Sequence, residues 1–410
     1  MKMYFCIKEI IIKKITIVGG GAAGFFAAIH AAERHPNAQV TILEGSNKVL
    51  SKVLISGGGR CNVTNTIWKP EVLVSHYPRG HEVLLEPFQI FNSKDTQLWF
   101  ENQGVKLKTE EDGRVFPVSD DSKSIANALM YEIERLGIKI NYKCRADSFE
   151  QTDDSWKIHT NNETIDTDIL IITTGGGPAV WRTLEMLGLS IVPPVPSLFT
   201  FHCKHPLLQD LAGISFPNVS VKEPNSKIEQ SGPMLITHEG LSGPAILKLS
   251  AWAARALHDL NYRFQIKVNW LGLTAKELKA AVQAGQIEHP KKHVINQPLL
   301  NIPKRFWTKL CEVSDIPNNR NYAEIGKKQI AKLSENLLQC TIEVTGKSTN
   351  KDEFVTAGGV DVDEIDFTSF SAKRFNNMYL AGEVLNIDGV TGGFNFQAAW
   401  TGGYLIGQSV

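Results

Sequence analysis

Several things are missing from this chain. No two of its six cysteines, Cys6, Cys61, Cys144, Cys203, Cys311 and Cys340, stand at CxxC spacing, and no histidine cluster accompanies them. That pattern excludes a zinc motif and a disulfide framework; it reads as reduced thiols in a cytoplasmic protein that holds no metal. No segment reaches the ~18 uninterrupted apolar residues that a membrane span needs. The apolar start, Met1 to Ile12, is interrupted by Lys8 and Glu9 and followed by Lys13 and Lys14. It is too short for a secretory leader and reads as an extra strand or a lead-in to the fold. Neither sign of charge is in excess, with 43 Lys plus Arg against 43 Asp plus Glu. The balance argues against a surface built to grip nucleic acid or anionic lipid. The expected partner is therefore a small-molecule substrate, with no stable nucleic acid and no membrane, and the expected assembly is a monomer or homodimer. Internal repeats and long low-complexity runs are absent as well.

At 410 residues the chain exceeds one compact core, so two or three domains are expected. The strongest local signal comes early. Lys14 to Val18 (KITIV) suits a buried parallel strand. Gly19-Gly20-Gly21-Ala22-Ala23-Gly24 follows, then an Ala-rich helix from Phe25 to Arg34, then a second strand, Gln39 to Leu43, ending at Glu44. Each part has a physical task. Gly19 permits the tight turn, Gly21 lets the backbone approach a pyrophosphate, and Gly24 lets the helix pack on the strand. The helix N-terminus offers free N–H groups to phosphate, and Glu44 can accept from a ribose diol. Gly45, directly after the acid, and Lys52 are counted with the same binding set.

This fingerprint fits any dinucleotide. Ser56-Gly57-Gly58-Gly59-Arg60-Cys61-Asn62-Val63-Thr64-Asn65 narrows it. Its three glycines let backbone run close to a flat or charged ligand, Arg60 can pair with a phosphate or stand beside a flavin, and Asn62, Thr64 and Asn65 can hydrogen-bond or cap. A flavin has a ring to line with such a turn. Asp168 to Thr174 (DILIITT), followed by Gly175 and Gly176, suits a buried strand passing the cofactor. Near the C-terminus a strand, Met378 to Gly382, ends in the acid Glu383. Asp388-Gly389 and Gly392-Gly393-Phe394-Asn395-Phe396-Gln397 follow, with an Ala-rich helix expected from Ala398. This second glycine turn would set a helix dipole against the reduced flavin. The cofactor expected is non-covalent FAD. Gly175-Gly176-Gly177-Pro178 is no second fingerprint, so no dedicated NAD(P)H domain is expected and nicotinamide would dock transiently as reductant.

The chain resembles the bacterial FAD-dependent oxidoreductase family that contains aminoacetone-oxidase-like enzymes and a bile-acid enoyl reductase. The matching pieces are GGGAAG (Gly19 to Gly24), LISGGGRCNVTN (Leu54 to Asn65), GRVFPVS (Gly113 to Ser119), THEGLSGPAIL (Thr237 to Leu247), VTAGGV (Val355 to Val360) and AGEVLNIDGVTGGFNFQAAW (Ala381 to Trp400). The sequence departs at Asn386, where many relatives carry Asp, so Asn386 is given no proton-transfer role. Its N-terminal lead is longer than the family pattern, which reads as an upstream start site.

Cofactor segments at both ends require a discontinuous fold. The expected class is α/β, a Rossmann-like two-dinucleotide-type FAD-binding domain over 14–195 and 352–410. The resemblance implies an inserted β-barrel-like domain over 196–272 and 336–351 that carries a small helical domain over 273–335. Pro193, Pro194 and Pro196 mark the exit. For chemistry, His238 in the THEG turn is the candidate proton donor or acceptor, with Glu239 beside it. Ser242 reads as the cap of a following helix. Cys61 reads as a small buried hydrophobe rather than a redox thiol.

The function expected is an FAD-dependent oxidoreductase that moves hydride between flavin N5 and a small organic substrate. Two chemistries fit: oxidation of a small amine or amino ketone, and reduction of an activated C=C bond. The alternatives are a flavin-dependent RNA-modifying protein, suggested by Lys291, Lys292, His293, Lys304 and Arg305, and a non-catalytic flavin redox sensor.

Overall fold

A strand that carries apolar residues on both faces has to be covered on both faces, and Ile15, Thr16, Ile17 and Val18 are all buried. This strand, β1 (Lys14–Val18), lies inside a seven-stranded sheet in the computed structural model, which describes residues 12–348 and 355–410. Cys6, most of the N-terminal lead and the expected boundary near 352 fall outside those residues. Helix α1 (Ala22–Arg34) follows directly, and β2 (Gln39–Leu43) pairs parallel with β1 from Lys14↔Gln39 to Val18↔Leu43. The strand Lys139–Asn141 extends the sheet beyond β2; on the other side Ile169–Ile172 pairs parallel with β1 and Met378–Leu380 pairs parallel with Ile169–Ile172. Chain order thus runs outward from β1 in one direction and then the other. The reversal lies between β1 and Ile169–Ile172, and the C-terminal ends of those two strands frame the crevice where such sheets bind ligands.

Helix α1 starts at Ala22, three residues earlier than the sequence suggests, because Ala22 and Ala23 already take part in its first turn. Every residue from Ala23 to Ala32 is buried, as expected of a helix apolar all round. Its second partner is the C-terminal helix, Phe394–Ser409. Gly403 and Gly407 permit that approach. A Cβ on Gly403 would stand 2.7 Å from the Ala23 carbonyl oxygen, and one on Gly407 would stand 2.4 Å from the Cβ of His30.

The chain divides into two units, one comprising 12–194 with 355–410 and the other 195–348. In the second, six strands close into a barrel: Phe201–Cys203, Gly240–Ser242, Glu229–Ile236, Ser215–Lys222, Phe264–Asn269 and Cys340–Lys347. The helices Ala275–Glu288, Lys304–Val313 and Lys327–Leu338 share the barrel's core rather than building their own, with Phe306 packed edge-on to Phe216 and tilted against Trp270. Pro193, Pro194 and Pro196 lie within a strand, Ile191–Ser197, that pairs with Val355–Val360 in a two-stranded ribbon. A two-stranded ribbon tolerates proline's missing N–H on its unpaired edge. Ser242 is not the cap of the helix Pro244–Trp252. Gly243 is, at φ +96°, because a Cβ there would press within 2.9 Å of the Pro233 carbonyl. Among the described residues, no helix is long and apolar enough to cross a membrane.

Gly403→Val should overpack the contact between α1 and the C-terminal helix. We expect a loss of about 1–3 kcal/mol, the usual cost of forcing methyl groups into a filled core, read as a lowered Tm by circular dichroism.

Candidate functional site: a dinucleotide cradle with a flavin-facing turn

At the end of β1 the chain turns so tightly that only glycine fits. Gly19 has φ +112°, and a Cβ there would sit 2.6 Å from the Thr173 carbonyl oxygen. Gly24 is equally constrained, its missing Cβ lying 2.1 Å from the Gly19 carbonyl. Thr173 secures the turn by donating from Oγ1 to Gly19 O at 3.0 Å. Gly21 differs: no atom lies within 4 Å of its missing Cβ. Glycine there keeps space open rather than relieving a crowded contact. The first turn of α1 has no side-chain cap, which leaves its N–H groups for a ligand. Glu44 holds its place at the end of β2, accepting from Gly20 N at 3.0 Å and Ser46 N at 2.8 Å. Gly45 packs against the Arg145 side chain.

The second glycine segment belongs to a broken helix. Ser51–Gly59 loses helical geometry at Ser56, Gly57 and Gly58, and Gly57, Gly58 and Gly59 all have positive φ. Gly58 and Gly59 face open space where a Cβ would be, whereas Gly57 abuts the Phe116 ring. Beyond the turn, three polar side chains reach across to the C-terminal block. Thr64 donates to Gln397 Oε1 at 2.6 Å and Asn65 donates to Gly392 O at 3.2 Å. The Asn62 amide, oriented to satisfy its neighbours, accepts from Gly393 N at 2.9 Å and donates to Thr64 O and Val115 O. Gly392 and Gly393 have φ +134° and +90°, and a Cβ on Gly393 would strike the Thr64 carbonyl at 2.5 Å.

The third wall comes from the ends of the two neighbouring strands. Gly175, at φ +69°, and Gly176 follow Thr174, and Gly176 lies against Thr356 and Glu383. Glu383 accepts from Thr356 N at 2.9 Å and is ion-paired with Lys52. Gly382, φ +82°, abuts Ala23 of α1. Lys52 is more than half exposed, so this pair contributes at most about 1 kcal/mol and leaves both groups available to a ligand.

Several expected ligands have other tasks. The helix expected from Ala398 starts at Phe394, so Phe394, Asn395 and Gln397 lie in its first turn. Gln397 is fully buried; it accepts from Thr64 and Thr96 and donates to Thr401, which makes it a core pin. Asn395 closes a two-bond ring with Gly389, accepting from its N and donating to its O, both at 2.9 Å. Arg60 does not point a free cation at a ligand. It stacks on Phe116 at 4.0 Å and pairs with Glu110 at 2.6 Å and Asp120 at 3.5 Å, and the Glu110 hydrogen bond raises its already high pKa. Cys61 is buried, and desolvation pushes its thiol up to about 12, consistent with an inert filler.

One part of the site was not legible in the sequence. Residues 76–80 form a strap over the C-terminal turn. Arg79 makes a two-pronged ion pair with Asp388, which is fully buried, and the two residues also form an isolated antiparallel bridge. Val390 N donates to His76 O at 2.9 Å, Tyr77 donates its hydroxyl to Phe394 O at 2.6 Å, and the His76 ring stacks on Phe394 at 4.3 Å. Breaking a buried ion pair by removing one partner costs roughly 3–5 kcal/mol, well above the Lys52 pair.

In the other unit, His238 is exposed in the turn before Gly240–Ser242. The acid beside it finds a base: Glu239 Oε2 stands 3.0 Å from His202 Nε2. His202 was missed because 34 intervening residues separate it from the THEG turn.

The open Cα faces of Gly21, Gly58 and Gly59 leave room for a dinucleotide, and the buried Asn386 Oδ1 has no hydrogen-bond partner among the described residues. The family model for the HI0933-like protein Rossmann domain matches residues 13–409. The chain belongs to this family and is an FAD-dependent oxidoreductase. It is 26% identical over 406 residues to an Escherichia coli protein named ribosomal RNA dihydrouridine synthase, covering 96% of this chain and 97% of that one. It is 27% identical over 409 residues to the 3-dehydro-bile acid delta(4,6)-reductase of Clostridium scindens, covering 97% and 98%. Among solved structures, a 3-ketosteroid-delta4-(5alpha)-dehydrogenase from Rhodococcus jostii superimposes with a TM-score of 0.50 at 11% identity, over 96% of this chain and 97% of that one; this likeness concerns the fold.

Two outcomes follow. Gly21→Val should abolish FAD retention, read as loss of the visible flavin band, with Tm of the apo-protein unchanged; Gly24→Val should instead lower Tm. The thiols of Cys61, Cys203, Cys311 and Cys340, each pushed up to about 12 by burial, should stay unlabelled by a thiol reagent at pH 8 until the protein is unfolded, as read by mass spectrometry.

Proposed function

We propose that this enzyme saturates a C=C bond conjugated to a carbonyl in a small organic molecule, with NAD(P)H as transient reductant. What carries this reading is that two relatives matching the chain end to end both bear names that describe C=C saturation: dihydrouridine formation and delta(4,6) reduction. FAD, when bound, supplies the hydride chemistry, accepting two electrons from a reductant and delivering them to carbon. The chain's own groups bind and orient it. The first-turn N–H groups of α1 and the open face of Gly21 suit the pyrophosphate, and Glu44 suits a ribose. Glu383 with Lys52 suits the linking hydroxyls and phosphates. The Gly57–Gly59 turn offers backbone to the ring. The uncapped helix start after Gly393 opposes negative charge that builds up on reduction. Saturation also needs a proton on the second carbon, and His238 remains the proposed donor.

Five buried free thiols go with a cytoplasmic setting. Monomer or homodimer, with no stable nucleic-acid or membrane partner, completes the reading.

A second reading is favoured by the Escherichia coli relative: the carbonyl-conjugated C=C belongs to a uracil in RNA. Lys291, Lys292, His293, Lys304 and Arg305 are exposed and would contact phosphates.

Anaerobic mixing tests both. NADPH or NADH should bleach the flavin, and a cyclic enone should restore its colour without oxygen. Bleaching by a small amine but by neither nicotinamide would overturn the reductase. Recolouring by ribosomal RNA but not by the enone, with a gel shift at low salt, would select the second reading. Absence of turnover with every reductant and acceptor would leave a redox sensor.

A further inference from the structure

Asp388 is an anomaly in a site meant to receive electrons and phosphates. Its carboxylate is completely buried, beside a turn with two positive-φ glycines. Burial of such a group is tolerated only when a partner meets it with good geometry. Arg79 does so with two nitrogens, Nε to Oδ1 and Nη2 to Oδ2, the bidentate arrangement a guanidinium can make and an ammonium cannot. The pair joins positions 309 residues apart.

Everything next to Asp388 is fixed to the same strap. Gly80, φ +85°, lies so close to Ile387 that a Cβ would meet its Cγ1 at 2.6 Å. Gly389 is wedged between Phe394 and Tyr77 and is gripped from the other side by Asn395. Val390 hangs from His76 O, and the Phe394 carbonyl from Tyr77. The backbone from Ile387 to Val390 and the Phe394 carbonyl are therefore held by residues 76–80, while Asn62 and Asn65 hold Gly392 and Gly393. These two glycines open the C-terminal helix.

We infer that Arg79 is the positioning residue of the flavin-facing turn: by holding Asp388 it presets the Asp388–Val390 backbone in the form that receives the flavin. The inference rests on the flavin reading of this turn and adds to it a residue that acts through Asp388. A preset turn avoids the ordering cost that binding would otherwise carry, so its loss appears as weaker FAD binding and an altered ring environment, beyond any loss of stability.

The test compares Arg79→Met, Arg79→Lys and, as a stability control, Thr167→Val. Thr167 is buried at the opposite end of the strands, where its hydroxyl donates to Lys14 O and Ile169 O. Apo-proteins are titrated with FAD by fluorescence at a temperature where far-ultraviolet circular dichroism shows each folded. The visible circular dichroism of the bound flavin is then recorded. Arg79→Met should weaken FAD at least tenfold and change the visible band. Arg79→Lys should recover only part of the affinity and not the wild-type band, since an ammonium neutralises Asp388 but cannot hold both carboxylate oxygens. Thr167→Val should lower Tm while leaving affinity within twofold and the band unchanged. Wild-type affinity and band in Arg79→Met overturn the inference, as does an equal loss in Thr167→Val. If Arg79→Met does not fold, Asp388→Asn carries the test with the same expected loss, and wild-type binding by that variant overturns the inference. A wild-type chain that takes up no FAD is a separate result, since it removes the flavin reading itself.

Discussion

The site depends on one contact, the missing side chain of Gly24 against the carbonyl of Gly19. With a Cβ at that point α1 would be forced away from β1, and its first-turn N–H groups would leave the crevice at the sheet's reversal point. The Thr173 hydroxyl, the burial of α1 from Ala23 to Ala32, and the glycine contacts with the C-terminal helix all hold the helix in that place. The glycines consequently divide into two kinds. Gly19, Gly24, Gly393 and Gly403 are filled from outside by backbone or packed side chains, whereas Gly21, Gly58 and Gly59 face empty space. The first kind builds the cradle and the second leaves room for what it holds.

Electrostatics are organised with the same economy. The charged pairs near the cradle differ in burial, and their weight follows from it. Lys52 with Glu383 is exposed enough to exchange its partner for a ligand, while Arg79 with Asp388 is too buried to do so without a large penalty. Arg60, Glu110, Arg114 and Asp120 form a half-exposed network around Phe116, and it braces the hairpin Leu107–Pro117 against the Gly57 turn.

What the sequence revealed follows from distance along the chain. The GGGAAG turn, the break at Ser56 to Gly58 and the closing acid Glu44 are local events, fixed by φ, by small residues and by strand period, and they were legible. The strap at 76–80 was not, because its partners lie some three hundred positions away and Arg79 has no periodic or motif context. Gln397 looked like a ligand for the converse reason. A polar side chain beside a glycine turn resembles a binding group until its amide is found saturated by Thr64, Thr96 and Thr401. His202 and Glu239 meet only because the barrel sets Phe201–Cys203 beside Gly240–Ser242.

The interrupted layout also sets an order of events during synthesis. Residues 14–194 leave the ribosome first, then the barrel with its helices, and only afterwards the segment that carries Glu383, Asp388 and the C-terminal helix. Until then Ile169–Ile172 lacks its parallel neighbour Met378–Leu380, and α1 lacks the C-terminal helix that packs on it. The inserted unit, whose core is contiguous in sequence, can complete its fold while the outer unit waits. Cofactor loading is thereby deferred to the last stage of biogenesis, and FAD supply becomes a factor in the yield of folded chains rather than only in their activity.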